Sequence, residues 1–155
     1  MTLHELLKQL IDTLEAAEIP YMIVGSFASS IQGDPRSTHD IDVVVTLTPD
    51  AQAALLKAFP EPNYYLDDVA LRDAVRRKDM INMLQQQSGD KVDFWILKDE
   101  PYDQESFRRR RKVDAFGMQL FVQQPEDTIL SKLKWPSTSR TMSRRPPVTE
   151  KRRRL

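Results

Sequence analysis

Two aspartates separated by one isoleucine, Asp40 and Asp42, open the β-branched run DIDVVV. Side chains alternate along a strand, so both carboxylates face one way, and Ile41 and Val43 face the other. Carboxylates that close repel, and partial burial raises the cost of ionising both. A divalent cation removes that cost. Mg²⁺ suits the arrangement, because it takes one or two carboxylates and fills its shell with water and phosphate oxygens. A third acid, Asp93, stands alone in the run KVDFWIL. On a neighbouring strand it would complete a set for two Mg²⁺ (or Mn²⁺) ions, one on a triphosphate and one at an attacking hydroxyl.

A chain with only four glycines places one of them, Gly25, at the end of the apolar run YMIV, followed by Ser26. Glycine lets the backbone approach a phosphate. The N-terminus of a following helix offers free N–H groups and a partial positive charge. Ser26 adds a hydroxyl and can cap that helix. Gly25 and Ser26 are therefore expected to grip the β- and γ-phosphates of an NTP whose metal Asp40 and Asp42 hold.

The elements that must position these residues follow from periodicity and punctuation. Leu3, Leu6, Leu7, Leu10, Ile11 and Leu14 recur at helical spacing and predict an amphipathic helix over residues 2–17. Residues 21–25 read as a short buried strand, 26–32 as a brief helix and 33–38 as a loop. Residues 40–47 are the strongest strand in the chain. Thr48 and Pro49 start a helix through residue 59. NYYL is a short strand, and residues 67–77 form a helix. Residues 80–86 and 91–97 flank a turn and predict a hairpin. A helix over 101–110 precedes a second hairpin, 112–116 and 118–123, about Gly117. A last helix covers 125–135. The expected fold class is α/β (α+β), a mixed β-sheet with flanking helices. Phe94 and Trp95 are assigned to its core. FRRRRK, residues 107–112, reads as a solvated helix end with an RNA grip as the alternative. His4 and His39 read as surface residues.

Composition bounds the class. The 155 residues are 40% hydrophobic and 30% charged, as in a globular protein with a real core. The absence of cysteine excludes a disulfide framework and a thiolate metal site, and fits a reducing cytoplasm. No apolar run approaches the ~20 residues of a membrane span, and the N-terminus lacks the pattern of a signal peptide. The expected organisation is a domain over residues 1–135 and a basic tail over 136–155. That tail holds seven Arg and Lys residues against Glu150 alone, leaving the rest of the chain at a net charge of −6. Its prolines, serines and arginines cannot offset their ordering entropy, so disorder is expected. The break in apolar periodicity after Trp135 reads either as a genuine tail or as a truncation or frame shift near residue 136.

The motif Val24-Gly25-Ser26, thirteen intervening residues, then Asp40-Ile41-Asp42-Val43 resembles that of the nucleotidyltransferase superfamily typified by DNA polymerase β. Pro35, Arg36, Thr38, Asp40, Ile41 and Asp42 further resemble the PR-x-T-x-D-I-D segment of AbiEii-type minimal nucleotidyltransferases of toxin–antitoxin and phage-defence loci. Lys132-Leu133 in PEDTILSKLKW resembles their late lysine helix. The resemblance implies a polymerase β-like core that transfers a nucleoside monophosphate from an NTP to a hydroxyl of RNA such as tRNA, of protein or of a small molecule. It implies metal binding by Asp40 and Asp42, activation of the acceptor by Asp93, and triphosphate binding by Gly25, Ser26 and Lys132. Arg36 and Thr38 would order the loop beside the metal site. A cognate toxin or antitoxin partner would follow, as would a second reading, a catalytically weak binding module or an inactive remnant.

Overall fold

In the computed structural model, residues 2–25, Ala28 and 40–127 are described. The brief helix over 26–32, the loop 33–38, most of the helix over 125–135 and the tail lie outside them. The chain divides into two compact units, Met1–Gln124 and Pro125–Leu155. Of the second, Pro125 to Asp127 are described, and they are helical.

The first unit begins with helix α1, Leu3–Ala16. Thr2 and Glu5 cap its start reciprocally: the Glu5 N–H donates to the Thr2 hydroxyl and the Thr2 N–H donates to the Glu5 carboxylate. Leu6, Leu7, Leu10, Ile11 and Leu14 form its buried face. Strand β1, Tyr21–Val24, leads to β2, Asp40–Val45. Helix α2, Pro49–Ala58, starts at a Thr48 cap whose hydroxyl accepts from the Ala51 N–H, with Pro49 pre-set for the first turn. The two-residue strand β3, Tyr64–Tyr65, precedes α3, Asp68–Arg77, which Asp67 caps. The hairpin β4–β5, Met80–Gln85 and Lys91–Ile96, helix α4, Pro101–Arg108, and the hairpin β6–β7, Arg111–Ala115 and Met118–Val122, complete the unit. Phe116 and Gly117 turn the last hairpin with positive φ at both residues, the combination a two-residue turn requires.

The strands form one mixed sheet in the order β3-β4-β5-β2-β1-β7-β6. β2 runs parallel to β5 and antiparallel to β1, and β1 runs parallel to β7. The fold is thus the mixed sheet with flanking helices that the sequence predicts. Alternation gives the sheet two different faces. Ile41, Val43 and Val45 of β2, Val92, Phe94 and Ile96 of β5, and Ile23 of β1 join the apolar sides of α1, α2 and α3 in one core. Asp40, Asp42 and Val44 face the other way and stay partly accessible.

Tyr21 ties helix to sheet within the core. Its hydroxyl donates to Glu15 on α1 and accepts from the Phe121 backbone N–H on β7. Tyr21→Phe keeps the packing but leaves that N–H without its acceptor. The expected cost is about 1–2 kcal/mol, read as a lower urea midpoint at unchanged m-value.

Candidate active site

The site grows from the register of β2 and β5. Their parallel pairing sets Asp42 directly opposite Asp93, Asp40 opposite Lys91 and Val44 opposite Trp95. On the other side of β5, Asn82 of β4 lies opposite Asp93. On the other side of β2, Val24 of β1 lies opposite Asp42. Three acids from two central strands, with Lys91 and Trp95 on either side of Asp93 along β5, therefore occupy the sheet face away from the helical core.

Gly25 follows Val24 and brings the backbone against Asp42. Its φ is +74°, and a β-carbon there would fall 2.6 Å from Asp42 Oδ2 and 3.3 Å from the Asp42 β-carbon. A side chain there would have to displace the Asp42 carboxylate and adopt a left-handed φ. The sequence reading gave this glycine to the phosphate alone, whereas the carboxylate of Asp42 also requires it. The other oxygen, Asp42 Oδ1, accepts a hydrogen bond from the Trp95 indole Nε1–H at 3.1 Å.

Burial pushes the Asp42 carboxyl up to about 7; the Trp95 hydrogen bond opposes this, and the neighbouring Asp93 and Asp40 add to it. Asp93 is raised as well, chiefly by burial and then by the charge of Asp40, while its interaction with Asp42 and the charge of Lys91 pull the other way. Two partly buried acids in direct interaction share a proton more readily than they both ionise.

That donor set fits a hard divalent cation, which would relieve the repulsion that raises both carboxyls. Among the described residues, no group of three or more His, Cys, Asp or Glu side chains is arranged to hold a metal ion. Mg²⁺ does not need one, since phosphate and water complete its shell. Asp42 and Asp93, with Asp40 one step along β2, are the residues that would hold it. Ser26, Arg36, Thr38 and Lys132 lie outside the described residues.

One sequence reading changes. Phe94 is fully buried, but Trp95 is 40% exposed on the acid face. Consecutive strand residues cannot both enter one core, so the period of two carried this signal. The basic run ends α4 as the solvated helix end that the sequence predicts, and Arg111 and Lys112 continue exposed into β6. Arg108 and Arg109 pair with Glu105, and Arg110 lies over the rings of Phe107 and Phe121 while donating to the Phe107 carbonyl. His4 stacks on Phe116, and His39 lies outside the described residues.

No family profile and no curated protein matches this chain. Solved structures do match. Among them is a "putative nucleotidyltransferase (TM1012)" from Thermotoga maritima, with a TM-score of 0.58 at 15% identity over 90% of this chain and 88% of that one. The fold is therefore that of a nucleotidyltransferase-like α/β protein. No described helix is long and apolar enough to cross a membrane.

Proposed function

We propose that the protein is a nucleotidyltransferase that moves a nucleoside monophosphate from an NTP to a hydroxyl acceptor, with Mg²⁺ or Mn²⁺ bound by Asp40, Asp42 and Asp93. The observation that carries this reading is the face-to-face placement of Asp42 and Asp93 beside a glycine whose side chain would have to displace the Asp42 carboxylate. When bound, the cation would neutralise phosphate charge and lower the pKa of the acceptor hydroxyl. Asp93 is the base. As the acceptor oxygen bonds to the α-phosphorus, its proton passes to Asp93 and the bond to pyrophosphate breaks. Asp42, fixed between Trp95 and Gly25, holds its oxygens in place throughout. Gly25 keeps the backbone close to the triphosphate, where Ser26 and Lys132 would bind its oxygens, with Arg36 and Thr38 ordering the adjoining loop. An AbiEii-type role beside a toxin or antitoxin partner, with RNA, a protein or a small molecule as acceptor, is the finer form of this reading.

The test is transfer of label from each α-³²P-NTP, with Mg²⁺, to total tRNA or to the proteins of a cell lysate. The Asp40→Ala/Asp42→Ala protein serves as control. Label on RNA or protein that the control lacks is the expected result. No label on any acceptor, from protein that binds neither NTP nor divalent cation, would sink the proposal.

A further inference from the structure

We infer that Trp95 is a positioning residue for the Asp42 carboxylate, an inference that rests on the metal-dependent reading of the site. Trp95 sits two residues beyond Asp93 on the same face of β5, opposite Val44 of β2 and Met80 of β4. Its Nε1–H donates to Asp42 Oδ1 at 3.1 Å, while Asp42 Oδ2 packs where a Gly25 side chain would be. The carboxylate is thus held at both ends.

Packing alone does not account for this tryptophan. It is 40% exposed, whereas the adjacent Phe94 is fully buried and supplies the core contact of that strand segment. The terminal torsion of an aspartate is broad, so a carboxylate without a fixed donor samples many orientations. An indole N–H only donates, and it points in one direction set by a rigid ring. Trp95 therefore holds Oδ1 by a donor fixed within its ring, unlike a rotating hydroxyl, and leaves the carboxylate's remaining lone pairs for a cation. Constellations of this kind lose most of their effect when a group is misplaced by about 1 Å.

The test uses the full chain and Mn²⁺ as probe, with binding followed by the electron paramagnetic resonance signal of free Mn²⁺. Trp95→Phe keeps the ring and removes the donor. Its Mn²⁺ dissociation constant is expected to rise about fivefold or more. In the transfer assay, kcat is expected to fall about tenfold with KM for the NTP within about twofold. A second measurement needs no change at Trp95. In a Trp135→Phe protein, which leaves Trp95 as the sole tryptophan, Mn²⁺ should quench the emission, and Asp42→Asn should abolish the quenching. Unchanged Mn²⁺ affinity and kcat in Trp95→Phe, or no quenching at Mn²⁺ concentrations that saturate the protein, would overturn the inference while leaving the transferase reading intact. Weakened Mn²⁺ binding by Trp95→Phe in a protein that transfers no nucleotide would sustain the inference and count against the transferase reading.

Discussion

Asp42→Asn makes the metal-free protein more stable at pH 8 and abolishes nucleotidyl transfer. The folded protein holds the Asp42 carboxyl near 7, against 3.8 for a free aspartate, chiefly because it is buried. Between about pH 4 and pH 7 the native state therefore binds more protons here than the unfolded state. Stability falls as pH rises through that window, and the penalty is complete above it. Between pH 5 and pH 8 the loss is about 2 kcal/mol. Asparagine removes it: the amide oxygen can still accept from Trp95, and the amide N–H can donate to Asp93. The variant should lose much less melting temperature between pH 5 and pH 8 than the parent, because of the two raised carboxyls only Asp93 remains. Millimolar Mg²⁺ should restore the parent at pH 8 by binding only its folded form, and should leave the variant unmoved. A parent protein with equal melting temperatures at the two pH values would show that Asp42 titrates as an ordinary carboxyl.

Gly25→Ala should damage the protein in two separable ways. The new β-carbon would meet Asp42 Oδ2 at 2.6 Å, well inside contact distance, and φ at this position is +74°. A left-handed conformation costs an alanine about 1–2 kcal/mol. Displacing the carboxylate adds an overpacking cost of about 1–3 kcal/mol. Because Asp42 must leave its seat between Trp95 and the glycine, transfer should fall at least 100-fold. The double-mutant cycle with Asp42→Ala separates the two effects. With the carboxylate gone, most of the crowding cost should vanish and only the backbone cost should remain. Strictly additive losses in urea melts would show that Asp42 is not what excludes a side chain here.

Local features of the fold were legible because local physics sets them. Apolar residues at helical spacing announced α1, Thr48-Pro49 announced the start of α2, and Gly117 announced the turn between β6 and β7. The alternation in DIDVVV set Asp40 and Asp42 on one face, as observed. Register between distant segments was not legible. Nothing in KVDFWIL specifies that its aspartate pairs with Asp42 rather than with Asp40, since that choice is made by the core packing of Ile41, Val43, Val92 and Phe94. Phe94 and Trp95 are adjacent and so face opposite sides of the sheet, which puts Trp95 with Asp93 on the acid face rather than in the core. The role of Gly25 is legible only in part, because its closest neighbour, Asp42, lies on another strand.

The pairing of β2 with β5 also joins residues far apart in the chain. The two strands lie side by side, yet α2, β3, α3 and β4 all come between them along the chain. Pairing such distant segments carries the entropic cost of closing a long loop. During synthesis Asp42 emerges well before Asp93, and the first half of the chain carries only one side of the acid pair. A chain in which only β1 and β2 have formed therefore lacks Asp93, the residue proposed as base. Under the proposed mechanism the acid pair exists only once β5 has paired with β2, so activity would report that the centre of the sheet is complete.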